Sequence, residues 1–190
     1  MDNKQRVSVL GGGSFGTVLA NLAASNGSNV ALWVRDSEQA LRINSEGANS
    51  SYHPELKLSD NIMASEDLYE VVKNADLIFV ATPSKIFEKI IIRISKIIKE
   101  DCYVISCTKG ILDDPFRTMT DIILSNKIKH FGVLSGPNLA KEIADNKVAG
   151  TVIASNNQQI ITSVKEVLSS ATFKIYSSND MQGVELAGAM

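Results

Sequence analysis

Charge of one sign is scarce in this sequence. Lys and Arg number 19 against 21 Asp and Glu, giving a net charge of −2 and a pI near 5.7. No basic surplus therefore marks a nucleic-acid surface. Long hydrophobic runs are missing too: none reaches the roughly 18 residues of a membrane span. The opening residues, Met1-Asp2-Asn3-Lys4-Gln5-Arg6, are polar and run directly into an apolar stretch, so no signal peptide is expected. Cysteine is limited to Cys102 and Cys107, which have no partner pair for a zinc site. They read as buried, reduced thiols, and a soluble cytoplasmic protein is expected. No internal repeat or low-complexity segment is visible. What is present is ordinary globular material, 44% hydrophobic and 21% charged, in 190 residues. That length holds one large domain, or one domain and the start of another.

The most informative stretch is Gly11-Gly12-Gly13-Ser14-Phe15-Gly16. It follows the β-prone run Arg6-Val7-Ser8-Val9-Leu10 and enters Thr17-Val18-Leu19-Ala20-Asn21-Leu22-Ala23-Ala24, whose apolar spacing suits a helix. Gly11, Gly13 and Gly16 thus form G-x-G-x-x-G at a strand-to-helix turn, the context in which that pattern binds a dinucleotide. Gly11 permits the turn, Gly13 lets the backbone approach a pyrophosphate, and Gly16 lets helix and strand pack closely. The free N–H groups of the first helical turn face the anion. A P-loop is excluded because no Gly-Lys-Ser/Thr closes the motif.

Val30-Ala31-Leu32-Trp33-Val34 reads as a second buried strand, ending at Arg35 and Asp36. Asp36 lies 20 residues beyond Gly16, in position to accept the ribose hydroxyls of NAD. Arg35 could instead meet the 2′-phosphate of NADP. Asp36 also reads as the N-cap of a helix over 37–43, with Gln39 at the third helical position, and Arg35 is the better cofactor contact. Residues 44–61 are polar and read as a loop or excursion. Further strands are expected at 62–64, 75–82, 103–108, 131–135, 151–154 and 173–176. Helices are expected from Ser65 to Lys73, from Ser84 to Ile98, from near Pro115 to Leu124, through Glu142, over 158–168 and from Asp180. In the Ser84 helix the basic face carrying Lys85, Lys89 and Arg93 reads as solvated surface. This alternation predicts an α/β fold, a doubly wound, mainly parallel Rossmann-like sheet. Its ligand would sit off the carboxyl ends of the strands. The expected division is a dinucleotide-binding domain over 1–179, followed over 180–190 by the start of a helix leading to a second domain.

Three turns carry unusual chemistry at strand ends: the glycine loop, Thr108-Lys109-Gly110 and Ser135-Gly136-Pro137-Asn138. Together with Leu32-Trp33-Val34-Arg35-Asp36, Thr82-Pro83-Ser84, Leu139-Ala140-Lys141-Glu142 and Gly183-Val184-Glu185-Leu186-Ala187-Gly188-Ala189-Met190, they resemble the bacterial-type NAD(P)-dependent glycerol-3-phosphate dehydrogenases. The resemblance implies interconversion of sn-glycerol 3-phosphate and dihydroxyacetone phosphate for glycerophospholipid synthesis, with NADP or NAD as cofactor. It implies cofactor contacts at Gly11, Gly13, Ser14, Phe15, Gly16, Arg35, Tyr52, Pro83, Lys109 and Ala140. Substrate contacts are implied at Lys109, Gly136 and Asn138, of which Lys109 is the catalytic candidate. Asn138 also reads as a cap for the helix through Glu142. A small-molecule substrate and a homodimeric full-length form are expected; nucleic acid, membrane span and metal are not.

One departure stands at the end of the sequence. In the resembling family the segment ending at Met190 is followed by Lys-Asn, and that lysine is the general acid/base. The expectation is that these 190 residues bind nucleotide and turn over poorly. A non-catalytic nucleotide-binding module of the same fold is the alternative. A 6-phosphogluconate or nucleotide-sugar dehydrogenase is opposed by Ser135 to Glu142.

Overall fold

Strands that are apolar at every position need cover on both faces, and the computed structural model, which describes residues 5–189, provides it. β1 (Arg6–Leu10), α1 (Ser14–Ser25), β2 (Asn29–Trp33), α2 (Ser37–Glu46) and β3 (Ile62–Ser65) form the first half. α3 (Leu68–Val72), β4 (Leu77–Val80), α4 (Ser84–Ile94) and β5 (Tyr103–Ser106) follow. A small hairpin, β6 (Leu112–Asp113) and β7 (Phe116–Arg117), precedes α5 (Met119–Ser125) and β8 (Phe131–Ser135). The chain closes with α6 (Ala140–Ala144), β9 (Ala149–Ala154), α7 (Gln158–Leu168), β10 (Phe173–Ser178) and α8 (Met181–Ala189).

The main sheet has eight strands in the order β10-β9-β8-β5-β4-β1-β2-β3. Every pairing is parallel except β8 with β9. Successive side chains of β4 point to opposite faces, so Leu77 and Phe79 join one apolar layer and Ile78 and Val80 the other. The first layer is closed by α1 and α7 through Leu19, Ala23, Ile160 and Val164. The second is closed by α4 and α5 through Phe87, Ile91, Ile94 and Ile122. The lysines and arginine on the outer face of α4 are exposed, while Glu88 is held by both guanidinium nitrogens of Arg117 at 2.7 and 3.1 Å.

Order within the sheet decides where ligands go. From β1 the chain winds outward to β2 and β3, then returns to lay β4 on the other side of β1 and winds the opposite way. The crevice between β1 and β4, at their carboxyl ends, is the switch point of this topology.

Most expected elements lie where the sequence places them. The helix expected from Ser65 starts at Leu68 because Asp67 is its cap, and the one expected to reach Ile98 ends at Ile94. The largest correction is in the middle. The helix read as starting near Pro115 begins at Met119, after the β6–β7 hairpin that turns at Asp114-Pro115. Thr118 sets the start. Its hydroxyl accepts from the Asp121 N–H at 3.2 Å and the Asp121 carboxylate accepts from the Thr118 N–H at 2.8 Å, a reciprocal cap that Pro115, with no N–H, cannot make. Both cysteines are buried and unpaired, and burial pushes the Cys102 thiol up to about 12 and raises Cys107 as well. Among the described residues no helix is long and apolar enough to cross a membrane.

Candidate functional site

The glycine loop occupies the switch point. Gly11 has φ +119°, a conformation that side chains rarely adopt, and a Cβ there would lie 2.5 Å from the Ala81 carbonyl oxygen. The loop is therefore pressed against the end of β4. A Cβ on Gly16 would overlap the Gly11 carbonyl oxygen, so α1 can sit this close to β1 only with glycine there. Gly13 differs: apart from Gly13 itself and its two chain neighbours, no protein atom lies within 4 Å of the place its Cβ would take. Gly13 is also the N-cap of α1 and supplies no side-chain acceptor, which leaves the first-turn N–H groups of α1 without a side-chain cap.

The polar excursion over 44–61 folds back beneath this loop. Asn49 donates through Nδ2 to the Gly12 carbonyl at 3.0 Å and to Thr17 Oγ1 at 2.8 Å. Gln39 donates to the same Gly12 carbonyl at 2.7 Å and to Asn49 Oδ1 at 3.2 Å. His53, buried, brings Nε2 to 2.9 Å from Ser14 Oγ and 3.0 Å from the Ser14 carbonyl oxygen. The segment read as a loop is thus a clamp that fixes the glycine turn.

A groove of about 350 Å³ runs along the top of the loop, lined by Gly11, Gly13, Trp33, Arg35, Asp36, Tyr52 and Pro83 among others. Arg35 is exposed and makes no hydrogen bond or ion pair among the described residues. Asp36 is the N-cap of α2, its Oδ1 accepting from the Glu38 N–H at 2.9 Å. Of the two readings of Asp36, the cap is the one its geometry fulfils. Gln39 does not complete a capping box there, because its amide is spent on Gly12 and Asn49. Arg42 also lines the groove, 3.8 Å from Glu38 Oε2.

The second group lies on the other side of the switch point, at the ends of β4, β5 and β8. Thr108 Oγ1 donates to the carbonyls of Val80 and Thr82, and a Cβ on Gly110 would sit 3.0 Å from Ser84 Cβ, so Thr108-Lys109-Gly110 abuts the Thr82-Pro83-Ser84 wall of the groove. Lys109 is exposed and reaches across to donate from Nζ to the Gly136 carbonyl at 3.0 Å. Asn138 donates its backbone N–H to the same carbonyl at 2.7 Å. Its side chain is oriented by β9: Thr151 Oγ1 donates to the Ser135 carbonyl at 3.0 Å, so it can only accept from Asn138 Nδ2, at 2.9 Å. Oδ1 is left buried and without a partner. Asn138 is not a helix cap, a correction to the sequence reading. α6 starts one residue later with Leu139 as N-cap and no side-chain cap, and the Asn138 Oδ1 accepts from no helix N–H. α8 closes this side. Buried Glu185 accepts from the N–H and hydroxyl of Thr120 at 3.0 and 2.5 Å, and Gly188 lies so close to Ser135 that a Cβ there would overlap its hydroxyl.

The structure thus brings Gly11, Gly13, Arg35, Tyr52 and Pro83 together along one groove, while Ser14, the next residue after Gly13, is held by His53. Lys109, Gly136 and Asn138 converge separately, one loop away. Gly16 is buried behind the turn, and Phe15 and Ala140 are partly buried against the core where α6 packs on α1. His53, Asn49, Thr151 and Arg42 were not singled out as site residues in the sequence. Asn49 and His53 fall in a polar stretch without periodicity, and only the fold shows what they touch. A dinucleotide fits these residues: the space over Gly13 is clear of protein, the α1 N–H groups lack a side-chain acceptor, and Thr82 Oγ1, beside Gly11, is buried without a partner. No cluster of three or more metal-ligating side chains occurs among the described residues.

Comparison with known proteins agrees with this architecture. Residues 6–161 match the family model described as NAD-dependent glycerol-3-phosphate dehydrogenase N-terminus. A Teredinibacter turnerae protein named glycerol-3-phosphate dehydrogenase, NAD(P)+, is 44% identical over 193 aligned residues, covering 100% of this chain and 56% of its own. The protein of that name from Acinetobacter baylyi is 45% identical, covering 97% of this chain and 52% of its own. Among solved structures, a glycerol-3-phosphate dehydrogenase from Coxiella burnetii superposes with a TM-score of 0.92 at 32% identity, over 97% of this chain and 57% of that one. One from Plasmodium falciparum gives 0.93 at 26% identity, over 99% of this chain and 56% of that one. The chain spans about half the length of the curated relatives it matches.

Proposed function

This chain belongs to the NAD-dependent glycerol-3-phosphate dehydrogenase family, to the N-terminal part of it, and from that premise we propose that residues 1–179 form the cofactor half of an enzyme interconverting sn-glycerol 3-phosphate and dihydroxyacetone phosphate. Residues 180–190 then begin the helix that leads to a second, helical domain. The single observation that carries this reading is the side-by-side placement of four loops at the ends of β1, β4, β5 and β8. An anion-ready glycine turn comes first, then the Thr82-Pro83 wall, then Lys109 after β5, which reaches the Gly136 loop after β8, where Asn138 holds a free amide oxygen.

When bound, the nicotinamide cofactor supplies or accepts the hydride. The chain's own residues bind and orient. Gly13 and the first-turn N–H groups of α1 receive the pyrophosphate, with Gly11 and Gly16 keeping the turn tight. Arg35, with Tyr52 and Pro83 along the groove, takes the adenosine end, and its unengaged guanidinium favours the 2′-phosphate of NADP while NAD is accepted. Phe15 and Ala140 contact the cofactor where α1 and α6 meet, as the family resemblance implies. On the substrate side the Lys109 ammonium opposes charge developing on the carbon-2 oxygen. Asn138 Oδ1, which Thr151 keeps as an acceptor, takes a substrate hydroxyl, and Gly136 brings the backbone close.

These residues do not make a whole catalyst. One ammonium cannot both grip a phosphate and move the proton on the carbon-2 oxygen, so the 190-residue polypeptide binds cofactor and turns over slowly. The complete reaction is read as cytoplasmic, serving glycerophospholipid synthesis in a homodimer. Trp33 reports on the first claim, since it lines the groove and its indole N–H is anchored to the Glu66 carbonyl at 2.9 Å. Titration with NADPH and NADH is expected to give a saturable change in its fluorescence, tighter for NADPH. No binding of either by fluorescence or calorimetry would overturn the assignment. Glycerol 3-phosphate oxidation by residues 1–190 alone is expected to be at least about 100-fold below that of the Teredinibacter relative, the scale on which one positioned acid/base group acts. Comparable rates would refute the claim of slow turnover.

A further inference from the structure

His53 stands outside every cofactor contact argued above, yet it touches the residue at the head of α1 twice. Its Nε2 is 3.0 Å from the Ser14 carbonyl oxygen and 2.9 Å from Ser14 Oγ. A carbonyl oxygen can only accept, so the nitrogen beside it carries a hydrogen, and the tautomer follows from that partner. A protonated Nε2 has no lone pair to offer, so the Ser14 hydroxyl cannot donate to it. That hydroxyl accepts instead, and its own hydrogen is left to point elsewhere. Ser14 is the first residue of α1, immediately after Gly13, whose Cβ position faces open space. The main chain that carries the ring is anchored. The His53 N–H donates to the Asn49 carbonyl at 2.9 Å, the His53 carbonyl accepts from Leu56 at 3.2 Å, and Asn49 is tied to Gly12 and Thr17.

We infer that His53 is a positioning residue for pyrophosphate binding: its Nε2–H holds both oxygens of Ser14, and so commits the Ser14 hydroxyl to donate its hydrogen to a phosphate oxygen of the dinucleotide. This rests on the reading of the glycine loop as a pyrophosphate site. A hydroxyl turned in advance toward the anion costs nothing to reorient on binding. A serine with an unprotonated ring nitrogen beside it would spend its hydrogen on that nitrogen and offer the phosphate only lone pairs.

The test separates an effect on pyrophosphate from an effect on the fold. NADPH and ADP-ribose carry the pyrophosphate; adenosine 2′-phosphate does not. His53→Leu is expected to weaken NADPH and ADP-ribose about fivefold, the loss of one modest hydrogen bond, and to leave adenosine 2′-phosphate unchanged. His53→Gln keeps an N–H where Nε2 stood and is expected to restore the affinity. In a Ser14→Ala background, His53→Leu is expected to have no further effect, because the group it acts through is gone. Should His53→Leu fail to fold, the 15N shifts of the imidazole in the unsubstituted chain decide, with Nε2 expected to carry the hydrogen. Equal weakening of all three ligands, an undiminished effect in the Ser14→Ala background, or an unprotonated Nε2 would overturn the inference. If the unsubstituted chain binds neither NADPH nor ADP-ribose, the pyrophosphate reading falls instead, and the imidazole shifts still judge the His53–Ser14 geometry.

Discussion

Replacing Gly16 with valine is expected to destabilise the chain by about 3 kcal/mol, the upper range for overpacking a tight site, and to abolish NADPH binding. The Cβ alone would overlap the Gly11 carbonyl oxygen and lie 3.4 Å from Ala81 Cβ. The first of these neighbours is backbone and cannot rotate away. α1 must then lift off β1, and with it go the N–H groups that face the groove. For a chain of this size such a loss lowers the melting temperature by about 6–12 °C. Gly27 serves as a control. Its φ is +94° and a Cβ there would meet nothing within 4 Å, so Gly27→Ala should cost only backbone strain, about 1–3 kcal/mol, and leave cofactor affinity unchanged. Thermal unfolding followed beside an NADPH titration reads both effects. A Gly16→Val protein that melts like the parent and binds NADPH would show that close helix–strand approach is not what this glycine serves.

Reversing the charge at Arg35 is expected to cost NADPH about 100-fold in affinity, since a charge-assisted contact of about 1.5–3 kcal/mol is lost and a repulsion added. NADH, which lacks the 2′-phosphate, should lose far less, so that the preference between the two inverts in Arg35→Glu. The structure makes Arg35 the residue to change. It lines the groove with no intramolecular partner among the described residues, whereas Asp36 spends its carboxylate on the start of α2. Arg42, loosely paired with Glu38, remains as a second cation nearby. Because the site is exposed, the difference should shrink as salt rises. Calorimetric titration of both cofactors at two ionic strengths measures this directly. Equal losses for NADPH and NADH would remove Arg35 from the 2′-phosphate and leave it a general surface charge.

The reading of this chain rests on two kinds of information that act over different distances. Strands and helices are written locally, in unbroken apolar runs such as Leu77–Val80 and in the spacing of Phe87, Ile90, Ile91 and Ile94 along α4. Glycines at a strand-to-helix turn are local too, and so the tight turn after β1 was legible before any fold was known. The hairpin before α5 was not, because two-residue strands carry no period and the Thr118–Asp121 cap competes with the proline for the helix start. Nor was the role of 44–61, a polar stretch in which Asn49 acts on Gly12, a loop residue 37 positions away.

By itself, then, the sequence determined a doubly wound α/β domain, a glycine-rich strand-to-helix turn at Gly11 to Gly16, and the residue types at the other strand ends. Tertiary structure alone decided that β4 returns beside β1, so that Lys109 and Asn138 share an end of the sheet with that turn. It alone decided which way the Asn138 amide faces and that an imidazole nitrogen stands against Ser14. Both are settled by hydrogen-bond partners distant in the chain, Thr151 and His53, and no local pattern of apolar and polar residues encodes a partner that only strand order brings near.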